Sequence, residues 1–166
     1  MASWAIIVAV VLAGPLAAAE PQTFIGKAVN VHDGDTITVL DAANAQHKVR
    51  LEGIDAPEIG QPFGTVARDR LAALVKGKSV TVHAHGHDRY GRTLATVDAG
   101  GHDVAAQLVA EGLSWHYVRY SHDKTLAAAE ADSRQHRRGL WADARPVPPW
   151  EWRAGERERK GVPTGR

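Results

Sequence analysis

Between residues 23 and 98 the chain alternates short β-branched and apolar runs with turn-forming clusters. Thr23 to Val31, Thr36 to Leu40 and Gln46 to Ile54 read as three strands, separated by Asp33-Gly34 and by Asp41 to Asn44. Glycine at position 34 is expected to supply the positive φ of a tight hairpin turn. The period then turns helical from Pro62 to Lys76, where Ala67, Leu71, Leu74 and Val75 share one face and Gly77 is the stop. Ser79 to Gly86 and Thr93 to Asp98 return to the strand pattern around a turn at Arg89-Tyr90-Gly91. Two helices follow, one capped by Asp103 and ending at Gly112, the other capped by Ser121 or Asp123 and ending near Arg138. Five short strands with a helix after the third suit a small Greek-key barrel, with an open α+β sheet as the alternative. The fold class is thus mainly β with α.

Composition narrows the chemistry. The 166 residues hold 20 Lys+Arg against 19 Asp+Glu, so any basic surface is local. With no cysteine, thiol catalysis, disulfides and Cys-type zinc sites are excluded.

The two ends differ from the middle. Residues 1–19 carry no charged side chain, hold an apolar run from Trp4 to Leu12, and end on Ala17-Ala18-Ala19 before Glu20. This pattern predicts a secretory signal peptide, because the run is shorter than the ~20 residues of a membrane span. An uncleaved anchor is the alternative. Cleavage would leave a domain at residues 20–152 and export the protein to a periplasm or the medium. Residues 145–152 hold three prolines and two tryptophans, an arm expected to dock rather than to extend a helix. Residues 153–166, with five basic and two acidic side chains, are expected to be a flexible basic tail.

Two acidic clusters carry the candidate chemistry: Asp33-Gly34-Asp35-Thr36, and Asp55-Ala56-Pro57-Glu58 directly after a strand. Carboxylates at strand ends are commonly turns. If adjacent strands bring Asp35 and Asp55 together, however, the pair forms an oxygen site for calcium or magnesium. Glu58 is then placed as a general base for a bound water. Arg50 alternates with Val49 and Leu51 and points away from the core if they point in, while Arg92 opens the next strand. Guanidinium groups match phosphate oxygens with paired donors, so the set suits phosphodiester cleavage.

These motifs, in this order, resemble the thermonuclease (staphylococcal-nuclease-like) family. The resemblance rests on Asp33 to Thr36, Val49 to Glu58, Gln61-Pro62-Phe63-Gly64 and Asp88-Arg89-Tyr90-Gly91-Arg92. It continues through Gly112-Leu113, Trp115 to Tyr120, Gly139-Leu140-Trp141 and Pro149-Trp150-Glu151-Trp152. The resemblance implies a five-stranded OB-fold barrel with three helices. It also implies a calcium-dependent nuclease acting on DNA, RNA or both at the P–O5′ bond, leaving 3′-phosphate ends. Carried over, Asp35, Asp55 and the Ala56 carbonyl are the Ca2+ ligands, and Glu58 is the general base. Arg50 and Arg92 bind the phosphate, while Arg89, Tyr90, Tyr117 and Tyr120 are on the substrate side. Two departures affect the substrate side only. The loop after Glu58 is short, with Ile59-Gly60 before Gln61, and Val118 stands where a second pocket tyrosine is expected beside Tyr117.

His83, His85 and His87 recur every second residue before Asp88. Neighbouring imidazoles on one strand face can ligate zinc or copper, whereas Val80, Val82 and Ala84 at the opposite parity make it a solvated face. Three readings therefore compete: a monomeric secreted nuclease, a non-catalytic OB-fold module that binds single strands, and a His-strand metal hydrolase.

Overall fold

The computed structural model describes residues 22–161, so the expected signal peptide and residues 162–166 of the tail lie outside the described residues. β1 (Gln22–Val31), β2 (Thr36–Asp41) and β3 (Gln46–Leu51) form an antiparallel meander. After β3 the short β4 (Ile54–Asp55) leads to α1 (Gly64–Val75), and β5 (Ser79–His87) returns beside β1. β6 (Thr93–Ala99) pairs antiparallel with β5 and parallel with β3, which closes the five long strands into a barrel. The closed barrel excludes the open sheet and has the OB-type architecture.

A second set of elements covers one side of the barrel. β7 (His102–Asp103), α2 (Val104–Ala110), β8 (Trp115–His116), α3 (Lys124–Gln135) and α4 (Pro149–Arg159) follow, with a 3-10 turn at Gly139–Ala142. Asp103 and Asp123 cap α2 and α3 through their side-chain oxygens, as their positions predict.

Strand alternation builds the core. Val49 and Leu51 of β3, Val80 and Val82 of β5, and Ala95 and Val97 of β6 are buried, with Leu71 and Val75 of α1 and Leu108 of α2 packed against them. On β2 all of Thr36 to Val39 are buried, because the outward threonines are also covered. Thr38 meets His32 Nε2 at 2.8 Å, and Thr36 faces the site described below.

Three expectations are corrected. Gly34 is not among the positive-φ residues; it is needed for space, since a Cβ there would lie 2.6 Å from Ala56 Cβ and 2.8 Å from Ala67 Cβ. The third strand stops at Leu51, because Gly53 at φ 77° turns the chain so that Ile54–Asp55 pairs with β8 instead. Among the described residues there are four α-helices, not three: Pro149 is the first residue of α4, where no backbone N–H is required, so proline starts a helix it could not continue. Residues 153–159 of the expected tail are the second half of this helix, favoured by Glu151 in its first turn and Arg157 and Arg159 in its last.

Candidate active site

Closing the barrel sets Arg50 beside Leu94 of β6, with Thr36 of β2 as its other neighbour. Val49 and Leu51 point inward, so Arg50 projects out of the core, as its parity requires, but remains only 12% exposed at the side chain. Its Nη1 donates to the carbonyls of Leu51 at 2.8 Å and Ile54 at 2.9 Å. Its Nη2 lies 3.0 Å from Asp35 Oδ2 and 3.1 Å from Asp55 Oδ1. One guanidinium thus joins the two acidic clusters, which are 20 residues apart in sequence.

Backbone geometry holds the carboxylates. The Asp35 N–H donates to Asp33 Oδ1 at 3.0 Å, and Asp35 Oδ2 accepts the Ala56 N–H at 2.8 Å. The bare Gly34 lets the first loop press on Ala56 closely enough for that bond. Burial pushes the Asp35 carboxyl up to about 7, against the pull of Arg50 and with the help of Asp33. Asp55 is 1% exposed.

Glu58 sits on a clamped loop. Its N–H donates to Gln61 Oε1 at 3.2 Å and its carbonyl accepts the Gln61 N–H at 2.8 Å. Gln61 Nε2 in turn donates to the Val147 carbonyl at 2.5 Å, tying the loop to the C-terminal arm. At Gly64 a Cβ would stand 1.8 Å from the Glu58 carbonyl oxygen, so the start of α1 fixes the same loop.

Arg92 is set by a tight turn. Asp88 Oδ1 accepts the N–H groups of Tyr90 and Arg92 at 2.9 and 3.0 Å, and Oδ2 accepts Arg92 Nε at 2.6 Å. Burial works against the Asp88 charge, but these donors outweigh it and hold its carboxyl below the usual range. Arg92 Nη1 reaches Thr36 Oγ1 at 3.4 Å, and Thr36 Oγ1 donates to Asp35 Oδ1 at 3.1 Å. Tyr90 is exposed, with the Arg89 and Arg92 guanidiniums 4.8 and 5.6 Å from its ring centre. Arg89 Nη2 also donates to the Tyr90 hydroxyl at 2.6 Å.

Tyr120 is exposed beside Tyr117, their rings 4.9 Å apart. Tyr117 has one face stacked on Trp150, 5.2 Å away and 5° from parallel. Burial, followed by the charge of Asp55, raises its hydroxyl above the ordinary tyrosine range. Val118 is exposed.

One arginine of the constellation has no counterpart among the sequence-derived candidates. Arg153 Nη2 donates to Asp55 Oδ2 at 2.7 Å, while its Nη1 donates to Asp55 Oδ1 at 3.2 Å and to Glu58 Oε1 at 2.8 Å. Burial opposes its charge, yet these bonds raise its pKa beyond the usual value. The signal was present: Pro149 at a helix start puts Trp150 and Arg153 on one face, three residues apart.

The histidines do not assemble. A bulge between Ala84 and Gly86 breaks the alternation of β5. His83 pairs with Asp98 at 3.0 Å, and His85 contacts Glu52. Among the described residues no group of three or more His, Asp or Glu side chains is gathered into a ready metal site, the histidines of β5 included. His116 is buried with its Nε2 3.2 Å from Ser121 Oγ, and His32 is exposed with its Nε2 2.8 Å from Thr38 Oγ1.

The barrel mouth therefore presents two buried carboxylates, a loop-held glutamate and three arginines, the makings of a site for a phosphodiester. Residues 48–143 match the family model described as staphylococcal nuclease homologue. An Escherichia coli protein named as an uncharacterized endonuclease is 46% identical over 129 residues, covering 77% of this chain and 84% of that protein. A micrococcal nuclease of Shigella flexneri is 44% identical over 142 residues, covering 78% and 80%. The Arabidopsis thaliana staphylococcal-like nuclease CAN1 is 43% identical over 110 residues, 66% of this chain and 34% of that one. The chain belongs to the staphylococcal nuclease family, and is a nuclease by that membership.

Proposed function

We propose that the protein is an exported, calcium-dependent phosphodiesterase that cleaves DNA, RNA or both at the P–O5′ bond and leaves 3′-phosphate ends. The observation that carries this reading is the Arg50 guanidinium lying 3.0 and 3.1 Å from the buried Asp35 and Asp55. Thr36 links that centre to Arg92, and Arg153 links it to Glu58.

In this reading Asp35, Asp55 and the Ala56 carbonyl hold the calcium ion, a set of hard oxygen donors. The chemistry of the donor set supports the fit. Asp35 and Asp55 are both buried and gathered on one guanidinium, an anionic set of oxygen donors of the kind a hard divalent cation takes. Bound there, calcium supplies Lewis-acid polarisation of the phosphate. Arg50 and Arg92 donate N–H groups to phosphate oxygens and neutralise charge as the transition state forms. The Glu58 side chain is 42% exposed, open to water from which it takes a proton as general base. The exposed rings of Tyr90 and Tyr120 offer faces on which bases stack, whereas Tyr117 gives one face to Trp150. Arg89 orients Tyr90 through its hydroxyl. Residues 1–19 act as the export signal, and the mature protein works as a monomer in the periplasm or outside the cell.

The test is digestion of single-stranded DNA by residues 20–166 with calcium, with zinc, and with a calcium chelator. Calcium-requiring cleavage that leaves 3′-phosphate ends is the expected result. Binding without cleavage in any metal would return the protein to the class of OB-fold binding modules.

A further inference from the structure

We propose that Arg153 is a further active-site residue, a tethered cation that holds Asp55 and must release it before a divalent cation binds, so that it sets the affinity for that cation. The inference rests on the calcium reading above.

Every carboxylate oxygen at the centre already has a donor. Asp55 Oδ2 accepts from Arg153 at 2.7 Å, and Asp55 Oδ1 is shared by Arg153 at 3.2 Å and Arg50 at 3.1 Å. Asp35 Oδ2 accepts the Ala56 N–H and Oδ1 the Thr36 hydroxyl. Asp55 Oδ1, with two guanidinium donors, has no lone pair left, and a cation taken at Oδ2 would lie against the charge of Arg153, so coordination by Asp55 is opposed until a guanidinium moves away.

The two arginines are not equally free to do so. Arg50 is locked by two backbone carbonyls and has a side chain 12% exposed. Among the described residues the hydrogen bonds of Arg153 go to Asp55 and Glu58 alone, and its side chain is 36% exposed. Arg153 therefore gives way at the smaller cost. Since a guanidinium does not deprotonate, its competition with the ion persists at any working pH.

Its position is fixed by packing that does not involve the carboxylates. Trp150, three residues before it on α4, stacks on Tyr117 and lies 5.5 Å from Trp115, the strand partner of Asp55. Gln61 holds the arm through the Val147 carbonyl. The guanidinium can swing off Asp55 while α4 stays docked, and a tether this short keeps its effective concentration high.

Calorimetric titration of calcium into the purified wild type, Arg153→Met and Arg153→Lys, without nucleic acid, tests this directly. Circular dichroism reports whether each variant is folded. Arg153→Met keeps the aliphatic stem and removes the charge, and is expected to bind calcium about tenfold tighter or more, a figure reduced for the solvent that screens a one-third-exposed side chain. Arg153→Lys keeps a point charge without the paired donors and falls between the two. A residue that merely shapes the carboxylates would leave calcium binding unchanged or weaker on removal, so either result overturns the inference while the calcium reading stands. If Arg153→Met fails to fold, Arg153→Lys decides by the same criterion. Binding in neither wild type nor variants would overturn both readings together, whereas binding only in the variants is the limiting form of the expected result.

Discussion

The barrel side of the site and the C-terminal side are held by different forces. Asp35, Arg50 and Arg92 stand at the ends of strands whose register is set by backbone hydrogen bonds and a core of fully buried aliphatic residues. Arg153 arrives on a helix held by rings: Trp150 against Trp115 and Tyr117, with Trp141 and Leu140 behind. The first arrangement cannot shift without breaking the barrel, because one strand slipping by one residue would turn its whole apolar face outward. The second rests on side-chain packing worth about 0.5–1.5 kcal/mol per aromatic pair beyond area burial, so it can loosen while the barrel stays closed. A rigid set of charged groups on the barrel beside a more yielding arginine on the helix is the lesson of the comparison.

The largest effect is expected at Arg50. Arg50→Ala leaves Asp35 and Asp55 buried without their shared partner, a loss of about 3–5 kcal/mol typical of breaking a buried ion pair. Denaturant unfolding should show this loss, and nuclease assays a fall in turnover of about 10²–10³ or more. Arg92→Ala separates the two readouts. It should cost a similar factor in turnover with a smaller loss of stability, about 1–3 kcal/mol, since Asp88, with its side chain 15% exposed, keeps the backbone N–H groups of positions 90 and 92 when the guanidinium is removed. Wild-type-like turnover would remove Arg92 from the chemistry.

Next comes Trp150→Ala, which should raise hydrogen exchange and proteolytic cleavage across residues 149–159 while the strands keep their protection. Equal loosening of barrel and helix would erase the contrast between the two sides.

A smaller effect follows pH. The Asp88 carboxyl is held below its ordinary value, so its contribution to stability is complete above the unfolded pKa and is lost as pH falls through the lowered folded one. Below pH ~4 the wild type should therefore lose about 1 kcal/mol that Asp88→Asn does not lose, measured as Tm or unfolding midpoint against pH. Replacing His83, His85 and His87 together by Ala should do least of all, leaving nuclease activity within about twofold, because none of them touches the acidic centre.

Local pattern made much of this legible. Period-2 burial placed Val49 and Leu51 inward and thereby aimed Arg50 at the site. Asp103 and Asp123 marked their own helices. The Asp-Arg-Tyr-Gly-Arg turn announced both its geometry and its arginine, since a single carboxylate can organise four consecutive residues without help from elsewhere. Gly34 was read for the wrong reason, because a close approach by Ala56 and Ala67 depends on where distant segments pack.

What the sequence determined by itself, then, was the five long strands, the helices α1 to α3, their apolar faces and the motifs at their ends, all properties of residues within a few positions of one another. Only the tertiary structure decided that β3 lies parallel to β6, that Asp35 and Asp55 share one guanidinium, and that a residue placed in a tail reaches both Asp55 and Glu58. Those are contacts across 20 to nearly 100 residues of chain. They follow from how the apolar faces fit together, and no local period records that.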